Sequence, residues 1–271
     1  MKTSILLAML GFGFSFNSVA QFSNDNLNQV AWTLSANRHT RPFYTGLLSS
    51  KRHMASFDTM AVTGETMSQQ ASYHFMLLDY EKGVALTEKS TELDPKQHRD
   101  AGRTYMMTLH DYPRALRHLE AFDALTPDFD DSDGIAPISY LKGLCYRNMG
   151  NHSEAVRQFS KGIDSLAAKH GSEWVNYKHY VSRSVSYLAI SQPDKALADL
   201  DSAMKNSTSE SPLALYYKGK TLLQQGRTTE AKRAFQDAQF FWQANRVKGI
   251  TQPEDYNNPV TEGDIEEALK Q

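Results

Sequence analysis

Apolar residues recur along most of this chain at the three- and four-residue spacing of amphipathic helices, in pairs of short segments separated by tight turns. The clearest pair runs from Tyr140 to Ile163, and its layout returns from Tyr216 to Gln239. Each copy sets a Gly before an aromatic residue or Leu (Gly143 and Tyr146; Gly219 and Leu222), then a turn Gly (Gly150; Gly226), an Ala (Ala155; Ala231) and a Phe (Phe159; Phe235). In both copies Gly to Gly is 7 residues, Gly to Ala is 12 and Ala to Phe is 4. Agreement of that kind does not come from composition; it predicts a repeated helix-turn-helix unit.

Three weaker copies complete the series. Tyr80 to Pro95 and Tyr112 to Pro127 are second helices 32 residues apart, each preceded by an Asp (Asp79, Asp111) placed to cap it and each stopped by proline. In the first helix of the second of these copies, Gly102 and Arg103 stand where an apolar residue and a small one are usual. Between the two clear copies lies another, with Tyr187 in its first helix, Pro193 in the first turn of its second, and Ala196, Leu200 and Ala203 beyond. Ala155 to Ala196 is 41 residues and Ala196 to Ala231 is 35, so the loops differ while the helices keep phase. That copy's first helix is expected to be the longest, from about Glu173 to Ile190. Asn151 and Glu154 are spaced as a capping box. Gly143, Ser184 and Gly219, facing Ala155, Ala196 and Ala231, let paired helices approach closely, while Phe159, Leu200 and Phe235 fill the space between neighbouring pairs.

The flanks differ. Lys2, an apolar run from Ile5 to Phe16, and the small residues Ser18-Val19-Ala20 have the form of a secretory leader over residues 1–20, which makes Gln21 the expected mature start. Residues 21–63 carry two weak helical faces (Leu27, Val30, Ala31, Leu34; then Phe43, Tyr44, Leu47, Leu48 after Pro42), as expected of a segment covering the end of an array. Repeats are expected over 64–243. Over 244–271, Gly249, Pro253, Asn257, Asn258 and Pro259 mark a loop, and Asp264 to Lys270 a short helix, either folded back as a cap or mobile.

Composition narrows the chemistry. The chain has 271 residues with 29 basic and 31 acidic side chains, a balance that argues against nucleic acid as partner. The lone cysteine, Cys145, lies on an apolar helix face and reads as a small buried hydrophobe. None of the nine histidines has the paired spacing of a zinc helix. The run Asp128, Asp130, Asp131, Asp133 before Gly134 resembles a calcium loop, but that register puts Phe129 at the first ligand place and Tyr140 at the last, so it reads as a solvated linker. No nucleophile elbow, phosphate loop or dinucleotide turn is present in the sequence, and no catalytic residue, metal or cofactor is assigned.

On Gly143, Tyr146, Ala155 and Phe159, on Gly219, Leu222, Ala231 and Phe235, on Tyr187, Ala196 and Ala203, and on the terminal Pro95 and Pro127, the chain resembles the tetratricopeptide repeat (TPR) proteins. It departs from their pattern in lacking an early Trp and in carrying Gly83 where Ala is usual. The resemblance implies an all-α, right-handed superhelical array of antiparallel helix pairs, an α-solenoid, with about five repeats. It also implies a concave groove lined by first helices: Tyr140, Leu144 and Arg147; Lys178, Val181 and Val185; Tyr216, Lys220 and Gln224. The function implied is an exported, non-catalytic scaffold that holds a protein or peptide partner, in a periplasm or cell envelope or secreted. The alternatives are a helical binding protein or enzyme acting on a glycan or small molecule, or a structural subunit of an envelope assembly.

Overall fold

The computed structural model of the chain describes residues 61–133, 136–250 and 254–270. The expected leader, the expected cap segment up to residue 60, Gly134 and Pro253 lie outside the described residues. Among the described residues there are eleven α-helices and no strand. The chain forms two compact units, divided after Asp94. In the first unit, α1 (Gly64–Met76) pairs with α2 (Tyr80–Leu93). The second contains α3 (His98–Met107) and α4 (Tyr112–Asp123), α5 (Ile138–Asn148) and α6 (His152–His170), α7 (Tyr177–Ala189) and α8 (Pro193–Asn206), α9 (Pro212–Gln224) and α10 (Thr228–Val247), then the short α11 (Glu262–Ala268). These four pairs pack in succession through three junctions, α4 on α5, α6 on α7 and α8 on α9, so the expected all-α stack of helix pairs is what they form. The first helices α5, α7 and α9 also touch in succession, which makes them one face.

All five turns within pairs share one feature. A residue in the left-handed region stands immediately before the N-cap of the second helix: Leu78, His110, Gly150, Ser191 and Gly226, at φ 62°, 53°, 79°, 56° and 75°. In the third pair the Gly150 N–H reaches the Arg147 carbonyl at 2.9 Å and the Asn151 N–H reaches the Tyr146 carbonyl at 2.9 Å, which closes the first helix as a Schellman motif. Asn151 then starts the second helix, its side chain accepting from the Glu154 N–H. Leu78 and Asp79, Ser191 and Gln192, and Gly226 and Arg227 repeat the backbone pattern. Asp79 and Asp111 cap their helices as the sequence predicts. The Asn151–Glu154 box is only half made, because the Glu154 carboxylate turns instead to Arg157 and Gln158.

Small residues set the spacing within pairs. A Cβ built on Gly143 would sit 2.5 Å from the Phe159 ring, and one on Gly102 2.7 Å from the Leu119 side chain. Phe235 fills the same hollow over Gly219. Phe159 and Phe235 therefore pack first into their own pairs rather than only between neighbours. The first pair inverts the device, with Phe75 on α1 packed against Gly83 on α2. Gly102, which looks misplaced in sequence, does the same work for Leu119. Cys145 is wholly buried, and burial pushes its thiol up to about 12.

Two further expectations change. The first helix of the fourth pair is α7, 13 residues long and no longer than α1 or α9, because Gly171 (φ 97°) ends α6 and a separate 3-10 turn takes up Ser172–Trp174 before Asn176 caps α7. The acidic linker is tied down rather than solvated. Asp130 accepts from the Ser139 N–H and hydroxyl, Asp131 from the Thr126 hydroxyl, and Asp133 pairs with Arg103 at 3.1 Å while accepting from the Ala136 N–H.

Gly143→Ala must force its methyl into Phe159 and is expected to cost about 1–3 kcal/mol in a urea titration. Ser191→Gly should act oppositely: freed of the left-handed penalty on a side chain, the turn is expected to gain about 0.5–1 kcal/mol by the same measurement.

Candidate binding groove

The face formed by α5, α7 and α9 is covered by the chain's own C-terminal segment. Glu254 lies at the N-terminal ends of α7 and α9. Its carboxylate accepts from the Tyr177 hydroxyl at 2.7 Å, the Ser211 hydroxyl at 2.5 Å and the Leu213 N–H at 3.1 Å. Ser211 is the N-cap of α9, and Pro212 follows at its first position. The N–H of Leu213 is thus a donor left free by the helix start, and the positive end of the helix dipole favours a carboxylate there.

Asn258 fills the second position. Its Oδ1 accepts from Arg147, and its Nδ2 donates to Ser182 at 2.9 Å and to Asp255 at 2.6 Å. Arg147 also donates to the Asn257 carbonyl at 2.6 Å. Both partners of this buried guanidinium are uncharged oxygens of the C-terminal segment. Burial pulls its pKa below the ordinary value, against the opposing pull of Tyr140, Tyr217 and Asp255. Beyond the loop, Val260, Ile265 and Ala268 are buried, and α11 packs on α10, where Ala268 joins Leu222, Ala231 and Phe235. The segment therefore folds back both into the groove and over the last pair.

The nine residues assigned to the groove divide under this cover. Tyr140 is 4 % exposed, its hydroxyl 2.9 Å from Ser182 and its ring stacked on His179 at 4.0 Å. Burial raises its pKa well above the phenol range. Leu144 and Val181 are buried in apolar clusters, and Arg147 is held as described. Val185 and Tyr216 are half-buried, Tyr216 against Phe235 and Tyr217. Lys178 is half-buried, its ammonium 5.9 Å from the Tyr177 ring centre. Lys220 and Gln224 are exposed, and Gln224 donates to the Leu188 carbonyl at 3.3 Å. Tyr177, Ser182 and Ser211 escaped the sequence reading; of the two courses it left open for the C-terminal segment, folded back or mobile, the segment takes the first. The signal that pointed to them was Ser211-Pro212, a helix start with an open donor.

Beside the segment lies a half-open cavity of about 260 Å³ lined by Met106, Tyr140, Leu144, Lys178, His179 and Asp255. His179 Nδ1 is buried with no protein hydrogen-bond partner, and burial lowers the ring's pKa to about 4 while Asp255 opposes the shift. The buried Arg183–Asp199 pair, at 2.7 Å, joins α7 to α8, and Lys142–Asp123, also at 2.7 Å, joins α5 to α4. Among the described residues no cluster of three His, Cys, Asp or Glu side chains is placed to hold a metal, and no helix is long and apolar enough to cross a membrane.

A stack of helix-turn-helix units with a face of first helices defines the class: a helical-repeat protein. Residues 136–165 and 213–239 each match the tetratricopeptide repeat family. These two stretches are tetratricopeptide repeats. The fold is similar to the crystal structure of a MamA protein, 16 % identical over 70 % of this chain and 96 % of that one, with a TM-score of 0.56. It is also similar to MamA of Desulfovibrio magneticus RS-1, 14 % identical over 69 % and 98 %, with a TM-score of 0.57. A tetratricopeptide repeat protein of Parabacteroides merdae ATCC 43184 aligns over 91 % of this chain and 89 % of its own, at 15 % identity and a TM-score of 0.49. At these identities the likeness concerns the fold. No curated protein matches the sequence.

The neutral His179 yields a pH test. Its folded pKa lies near 4 against an ordinary 6.5, so between those values the unfolded chain binds the extra proton and stability falls as pH drops. From pH 7 to pH 5 the native chain should lose about 2 kcal/mol more than His179→Phe, which keeps a ring stacked on Tyr140. Urea titrations of both chains at the two pH values check this.

Proposed function

We propose that this protein is a non-catalytic scaffold that holds a segment of a protein or peptide partner along α5, α7 and α9, and that it does so after export, in a periplasm, cell envelope or medium. One observation carries the reading: Glu254–Asn258 lies on this face and takes hydrogen bonds from all three helices. A surface that seats one turn of chain has the donors and spacing to seat another. Rigid stacked pairs hold those donors in place, which lowers the ordering cost of binding. The near balance of 29 basic and 31 acidic residues supports a protein rather than a nucleic acid as partner. Export is supported by the leader pattern of residues 1–20.

The exposed and half-exposed rim offers variants that leave the core intact. The chain from Gln21, immobilised, is expected to retain at least one protein from an envelope extract of its own cells. A Lys178→Glu, Lys220→Glu, Gln224→Arg variant of unchanged melting temperature should retain roughly tenfold less of it. Equal retention by both chains would move the contact off this face, and no retention by either would overturn the scaffold.

A further inference from the structure

We propose that Glu254–Asn258 is a resident copy of the groove's ligand, and that the partner segment presents the same pair of groups, a carboxylate and a carboxamide four residues apart, and must displace it. This rests on the scaffold reading above and names the chemistry of its partner.

The seats belong to the repeats and not to the segment. Tyr177 of α7 and, from the start of α9, Ser211 and the Leu213 N–H converge on one carboxylate, and Arg147 of α5 and Ser182 of α7 hold one carboxamide. Ser182 and Ser211 are 0 % and 2 % exposed, and Arg147 is 9 % exposed. An emptied groove would leave the Arg147 guanidinium, the Ser211 hydroxyl and the Leu213 N–H without these acceptors, so an occupant is part of the design.

The way the segment is held suits exchange. From Glu254 to Pro259 it adds no side chain to an apolar cluster, and Tyr256 is 71 % exposed. The apolar anchors come afterwards, at Val260 and Ile265. The contacts described between the stretch and the groove are hydrogen bonds, and a competitor with the same two side-chain groups can replace those that Glu254 and Asn258 make with Tyr177, Ser211, Leu213, Arg147 and Ser182. α11 keeps its place throughout. What favours the resident is its tether, which gives it an effective concentration of order mM for a short link. A free ligand of equal chemistry is therefore excluded until the resident is loosened or the ligand exceeds it in strength.

The probe is a fluorescein-labelled peptide with the sequence of residues 252–262, and the readout is anisotropy on the full chain. The native chain is expected to bind it weakly. A Glu254→Gln, Asn258→Ala chain, which loses both keys and keeps both seats, should bind it roughly tenfold or more tightly. Adding Tyr177→Phe, which removes one hydroxyl from the carboxylate seat, should reverse that gain. If the double variant melts early, Glu254→Gln alone replaces it and should give a smaller gain in the same direction. Equal binding by native and loosened chains would overturn the proposal, as would a gain indifferent to Tyr177→Phe. A loosened chain that dimerises in sedimentation without gaining peptide affinity would also overturn it, since the segment would then serve a second copy. Capture of a rim-dependent partner together with failure here would leave the scaffold standing and remove only the resident ligand.

Discussion

The architecture depends on one device: a turn in which closing one helix and opening the next are the same few residues. The left-handed residue takes the Schellman position, and the residue after it starts the second helix. Because the backbone course is the same at Leu78, Gly150, Ser191 and Gly226, the second helix leaves each turn in the same direction. Only then do Phe159 and Phe235 fall over Gly143 and Gly219. Pair geometry is thus set locally, and stacking follows from pairs that share a shape.

The turn also explains which side chains recur. Glycine is the natural occupant of a left-handed position, yet only two of the five turns use it. Leu78, His110 and Ser191 hold the same conformation because the hydrogen bonds on either side, and the packing of the helices they join, overdetermine it. The requirement belongs to the backbone, and sequence reports it only in part.

That is where legibility begins and ends. The helix pairs, their caps at Asp79 and Asp111, and the close-packing role of Gly143 and Gly219 could all be read from spacing, because each is a local rule with a fixed offset. Gly102 looked like a fault and is a contact, since its partner Leu119 lies on another helix. First-helix spacing marks the row of groove side chains, and the loop composition of the tail allows a fold-back without saying which side chains it pairs with. Asn257, Asn258 and Pro259 have the composition of a loop, and nothing in a loop's composition says that Asn258 ends beside Arg147, a contact spanning 111 residues. Polar residues buried by long-range pairing leave no periodic trace. The acidic linker escaped for the same reason: its carboxylates spend their charge on Arg103 and on backbone N–H groups that spacing does not show.

The short α11 has a consequence for how such arrays grow. A stack of like units has no intrinsic stop: the outer side of the last pair resembles the surface on which every earlier pair received its neighbour. Here Ala268 takes a place beside Leu222, Ala231 and Phe235, where a further unit would otherwise put its own apolar stripe. Seven residues of helix thus do the work of a terminator. Copies meeting end to end at this side find the site already filled, and filament growth from it requires α11 to leave first.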